Sequence, residues 1–134
     1  MTPDVGTVLR DRWLEQGISI NPGAAAEALQ ALEARLGTAL PAALRSALVA
    51  ANGMAAGVTD AKMFRLWPVS EIAPNDQAQA FWVFADWCLW SHGYAFDPKT
   101  GEVFVVGGTT PIQIATSLDD WYACYLDDSD SILP

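Results

Sequence analysis

Residues 81–106 read FWVFADWCLWSHGYAFDPKTGEVFVV, and this stretch decides the fold. Its first ten residues are apolar on both faces of a two-residue repeat, with Asp86 the exception, which is the pattern of a central strand. Residues 94–96 and 103–106 are short apolar runs on either side of Asp97-Pro98-Lys99-Thr100-Gly101. A proline that presets φ and a glycine that closes the reversal make that segment a hairpin turn.

Working outward, Gly107-Gly108 permits a further reversal, and residues 112–115 make a short strand. Ser117 is a good N-cap for a closing helix. Asp119 and Asp120 suit the positive end of its dipole, and Leu118, Trp121, Tyr122 and Tyr125 fall on one side. Upstream, residues 63–69 read as a strand ended by Pro68, after a small, glycine-containing loop over 54–61. Before that loop the period is helical. Val5, Val8, Leu9, Trp13 and Leu14 fall close to helical spacing, and Gly17 would stop that helix. Asn21-Pro22 reads as the start of a second helix, with Leu29, Leu32 and Leu36 on one stripe and Gly37 at its end. Pro41 opens a third, with Leu44, Leu48 and Ala51 in line and Asn52-Gly53 as the stop. The predicted class is α+β: N-terminal helices, a central, mostly antiparallel sheet of about 4–6 strands, and a closing C-terminal helix, in a single domain over residues 1–134.

Composition supports a packed core. The 134 residues are 51% hydrophobic and 17% charged, with six tryptophans, so no disulfide or metal staple is needed. Trp13, Trp67, Trp82 and Trp121 sit at periodic positions and are assigned to the core. No basic leader precedes an apolar segment, and the weakly polar stretch 39–56 is interrupted by Pro41, Arg45, Asn52 and Gly53. The expectation is a cytoplasmic protein with no membrane association. Cys88, in an apolar strand-like run, and Cys124, on the apolar side of the last helix, are expected to be free thiols.

The net charge of −9 is unevenly placed. Residues 1–65 hold six basic and six acidic side chains, whereas residues 66–134 hold ten acidic ones and only Lys99. Such a half repels nucleic acid and steers a basic protein toward itself.

No cluster points to catalysis, a metal, a cofactor or a small-molecule substrate. His92 is the only histidine. It would share a strand face with Cys88, but no orienting carboxylate accompanies the pair, and a locally hydrogen-bonded histidine is the simpler reading. Cys88, His92 and Cys124 lack the close paired spacing of a zinc site. Asp127-Asp128-Ser129-Asp130 lacks the glycine and closing glutamate of a calcium loop and reads as a frayed acidic tail. Gly107-Gly108-Thr109-Thr110 lacks the lysine and helix of a phosphate loop.

The order of these signals resembles the SUKH superfamily over residues 25–127. Leu32-Glu33-Ala34-Arg35-Leu36-Gly37-Thr38-Ala39-Leu40-Pro41, followed by Leu44, Leu48 and Asn52-Gly53, is similar to its N-terminal signature. Residues 67–72, Phe84-Ala85-Asp86, Gly93-Tyr94-Ala95-Phe96-Asp97, Thr100-Gly101-Glu102-Val103 and the 115–126 segment resemble its later elements. One departure stands out: many members carry a glycine-rich stretch where this chain has Trp87-Cys88-Leu89-Trp90-Ser91-His92. The superfamily includes fungal cell-wall synthesis regulators and many bacterial immunity proteins. The resemblance implies a non-enzymatic protein-binding domain, in first place an immunity protein that neutralises a cognate toxin by stoichiometric binding. The alternative is a regulatory scaffold that is not toxin-linked. The expected partner is a basic toxin domain such as a nuclease. From charge and exposed aromatics the expected partner surface comprises Asp86, Trp87, Trp90, Asp119 and Asp120, with Glu71 at its margin.

Overall fold

The switch from a helical to a strand period predicts where the architecture changes, and the chain changes there. The computed structural model describes residues 4–76 and 78–134. Among the described residues three helices come first: α1 (Val5–Glu15), α2 (Ala26–Leu36) and α3 (Ala42–Ala50). Six strands follow among the described residues: β1 (Phe64–Leu66), β2 (Ala73–Pro74), β3 (Trp82–Trp87), β4 (His92–Phe96), β5 (Val103–Val106) and β6 (Ile112–Ala115). Helix α4 (Leu118–Leu126) and a 3₁₀ turn (Asp130–Ile132) close the chain. The fold is α+β.

Every strand pair is antiparallel, in the order β1-β3-β4-β5-β6. Strand β2 also pairs with β3, Ala73 opposite Val83, so two short strands share the edge of β3 that β4 leaves free. One face of the sheet is covered by α4. There Trp121 lies 5.0 Å from Phe84 and 5.2 Å from Tyr94, ring centre to ring centre, and stacks on Tyr125 at 5.6 Å. Burial in this aromatic layer pushes the phenols of Tyr94, Tyr122 and Tyr125 well above their ordinary pKa, so they stay neutral.

The helices are joined by specific local chemistry. Asp4 caps α1 by accepting from the Thr7 amide, and Ser46 on α3 donates to the same carboxylate oxygen. Gly6 makes the α1–α3 approach possible, because a Cβ there would fall 2.0 Å from the Ser46 carbonyl oxygen. Glu33 accepts from the Leu40 amide at 2.7 Å and from Arg45, tying the end of α2 to α3.

Several expectations are corrected. Asn21-Pro22 does not start α2. Asn21 donates to the Asn52 carbonyl and Ile20 bridges Met54, so this segment runs extended beside residues 52–54, and α2 begins at Ala26. The apolar run 81–90 is not one strand: β3 stops at Trp87 and the chain reverses over residues 88–91. Trp82 is half-buried, with the Arg35 guanidinium 5.4 Å over its ring. The acidic tail is not frayed, since Ile132 is buried and its carbonyl accepts from Tyr94 Oη at 2.6 Å. Among the described residues no helix is long and apolar enough to cross a membrane.

Candidate functional site

Antiparallel register places Arg65, Asp86, Gly93 and Val106 in one row across β1, β3, β4 and β5. Cross-strand partners share a face, and neighbours along a strand alternate. Because Tyr94 points to α4, Gly93 and its row point to the opposite face. That face carries an open groove of about 420 Å³. Gly93 sets its floor: a Cβ there would meet Val106 Cγ2 at 3.1 Å and Val83 Cγ1 at 3.3 Å. Pro74, Asp76, Trp67 and Trp90 are among the residues that line it.

Trp90 is carried on strained backbone. Cys88, Leu89 and Trp90 have φ of 55°, 53° and 74°, three consecutive non-glycine residues in the left-handed region. Each costs roughly 1–2 kcal/mol, and such strain persists only where surrounding contacts impose it. Those contacts are visible. Asp86, only 1% exposed, accepts from Trp67 Nε1 at 2.5 Å and from the Trp90 amide at 3.3 Å. The Ser91 amide donates to the Cys88 carbonyl at 3.2 Å, and the Cys88 amide to the Met63 carbonyl. The indoles of Trp67 and Trp90 meet at 4.9 Å, tilted by 45°. The outcome is a rigid turn that holds two large apolar side chains in water: Leu89 and Trp90 are each 64% exposed.

Behind the turn lies a buried charge network. Arg65, 5% exposed, makes a bidentate bond to Glu71 at 2.7 and 2.8 Å and donates to the carbonyls of Met54 and Ala55. The hydrogen bonds that Arg65 donates to Glu71 raise its pKa above the ordinary value against the opposing effect of burial, and the field of Asp86 adds to this. The guanidinium is thereby fixed inward and charged.

The structure separates the residues expected to form one surface. Trp90 and Glu71 line the groove side. Asp86 is there too, but as a buried structural acceptor rather than a surface charge, a correction that follows from its bond to Trp67. Trp87 pairs with Phe64, hence lies on the α4 side, half-buried and donating to the Lys62 carbonyl. Asp119 and Asp120 are exposed on α4, across the sheet from the groove, with Asp120 Oδ2 accepting from Thr116 Oγ1. His92 begins β4 and Cys88 sits in the turn, so they do not share a strand face. His92 Nδ1 lies 3.0 Å from Ser91 Oγ. Cys88 and Cys124 are both unpaired. Among the described residues no three His, Cys, Asp or Glu side chains gather as a metal centre requires.

A second cleft, of about 250 Å³, lies between α1, α4 and the loop before β1. Trp13 Nε1 donates to Tyr125 Oη at 2.9 Å, which donates to Asp60 Oδ2 at 2.5 Å, while Arg12 pairs with Asp128 at 2.6 Å. Its polar groups satisfy one another.

Sequence reasoning missed Trp67 and Asp76 as groove residues and Leu89 as an exposed side chain of the turn. Nothing in 87–92 marks a turn by glycine, proline or asparagine, and Trp67 reaches Asp86 only through the fold. No protein-family model matches this chain, and no curated protein is significantly similar to it.

Proposed function

We propose that this chain is a non-enzymatic protein-binding domain that docks a basic protein through the 88–91 turn and the adjoining groove. Its role in this reading is that of a cytoplasmic immunity protein neutralising a cognate toxin, such as a nuclease, by stoichiometric occlusion. The observation that carries the reading is the pair Leu89 and Trp90, held 64% exposed on three left-handed residues. A soluble domain gains no stability from that arrangement, and strain of this kind collects at recognition sites. Tryptophan is a preferred interface anchor. The net charge of −9 supports a basic partner, and the SUKH-like order of motifs agrees with an immunity role.

The test begins with affinity capture on the intact chain, followed by assay of the captured protein. Its activity is expected to fall to zero near one equivalent of this domain. A partner bound without loss of activity overturns the inhibitory role and favours a regulatory scaffold. Leu89→Ser and Trp90→Ala, each confirmed folded by circular dichroism, are expected to speed dissociation by roughly 30-fold for Trp90→Ala. Unchanged dissociation in both variants overturns the docking turn.

A further inference from the structure

The groove beside Trp90 has a chemistry of its own. Its lining, with the small cavity of about 120 Å³ on the far side of Trp90, holds three carboxylates, Glu71, Asp76 and Asp86, against one cation, Arg65. That cation is spent. Its donors go to Glu71 and to the carbonyls of Met54 and Ala55. An anion entering the groove would meet acidic groups and no free donor from Arg65. A cation would meet the Trp90 face, the exposed carboxylate of Asp76 and the field of Asp86 behind the indoles. Val83 and Val106 close over Gly93, so the floor beneath such a cation is apolar.

We infer that this groove is a subsite for an arginine side chain projected by the protein partner. Arginine fits better than lysine because a planar guanidinium stacks on an indole while its edge donates to a carboxylate. The guanidinium lies against Trp90, donates to Asp76, and is oriented by the negative potential of Asp86. Trp67 and Asp86 act as positioning residues that fix the Trp90 plane. This inference rests on the proposed docking role and names the group that the partner brings.

The test uses the intact ¹⁵N-labelled protein and two blocked tripeptides, acetyl-Gly-Arg-Gly-amide and its citrulline counterpart, which keeps the shape and loses the charge. Saturable shifts of the Trp67 and Trp90 indole N–H signals are expected with the arginine peptide across the millimolar range, and none with citrulline. Trp90→Ala or Asp76→Asn is expected to weaken binding several-fold, up to roughly tenfold, and the Asp119→Asn, Asp120→Asn double variant to leave it unchanged. Equal shifts from both peptides, shifts confined to α4, or affinity indifferent to Trp90 and Asp76 overturns the inference. The two readings separate cleanly. A partner lost with Trp90→Ala while the arginine peptide stays silent overturns the arginine subsite and leaves the docking turn. Partner affinity untouched by both Leu89→Ser and Trp90→Ala overturns the turn as the docking face and, with it, the partner's arginine as the occupant, even where the peptide binds.

Discussion

Two hairpin turns, one on each end of β4, solve the same problem in opposite ways. The β4–β5 turn uses residues suited to turning. Asp97 Oδ1 accepts from the Lys99 amide at 2.8 Å, the Gly101 amide donates to the Asp97 carbonyl at 2.7 Å, and the left-handed position, φ 80°, is a glycine. The β3–β4 turn places cysteine, leucine and tryptophan in left-handed backbone and depends on groups outside itself, chiefly Asp86 and Trp67. The first turn is relaxed, polar and self-contained. The second is strained, apolar and imposed from without. A chain that can make the first kind has spent stability on the second, and the return is exposed apolar surface in a fixed geometry.

That contrast can be broken most forcefully at the anchoring carboxylates. Asp86→Ala strands the buried Trp67 indole N–H and releases the Trp90 amide, so it is expected to cost about 2–3 kcal/mol in urea denaturation. Asp97→Ala removes a single exposed turn bond and is expected to cost about 0.5–1 kcal/mol. Equal losses would mean that the β3–β4 turn is no more dependent on its anchor than its neighbour.

Glycine exchange sharpens the comparison, with smaller effects of opposite sign. Leu89→Gly relieves a left-handed leucine and is expected to raise stability by about 1 kcal/mol while weakening partner binding. Gly101→Ala places a Cβ in open space at φ 80°, so only the backbone penalty of about 1 kcal/mol remains, as a loss. A destabilising Leu89→Gly would show that the turn's contacts outweigh its strain.

The smallest effect belongs to the polar junction between α2 and α3, which resembles the β4–β5 turn in kind. The Leu40 amide, and then Arg45, hold Glu33 below its ordinary pKa of 4.5. The folded state therefore binds fewer protons there than the unfolded chain. The resulting stability is present above pH 4.5 and is lost as pH falls through the lowered native value. Asp4, depressed chiefly by the Thr7 amide, behaves alike. Glu33→Gln is expected to flatten the acid limb of a pH-dependent denaturation series slightly and to leave the neutral-pH binding kinetics alone. Full acid sensitivity in that variant would assign the limb to other carboxylates.

Much of the fold was legible because its signals are local. The stripes of α2 and α3, the Ser117 cap of α4 and the Asp97–Gly101 turn each lie within a few residues of what they specify, whereas in α1 Leu9 and Trp13 are buried and Leu14 is exposed. The candidate site was legible only in part. Trp90 stood out by type, but residues 81–90 read as one strand because cysteine, leucine and tryptophan carry no turn signature. Asp86 reads as surface charge until Trp67, nineteen positions away, is seen to donate to it. Asp119 and Asp120 share a charge pattern with the groove but not a face, since pattern along the chain does not report which side of a sheet a residue occupies. Asn21-Pro22 carries the helix-start chemistry but spends its hydrogen bonds on residues 52–53.

The anchoring of the β3–β4 turn from outside also bears on how such a domain diversifies. Asp86 belongs to β3 and Trp67 follows β1, so the residues that hold the turn are not the residues it displays. Leu89 touches neither anchor through a side-chain hydrogen bond, and substitutions there alter what is displayed without loosening what supports it. In the proposed docking role, new specificities would then be reachable by single changes at one exposed position, with the sheet, its helical cover and the groove floor unaltered.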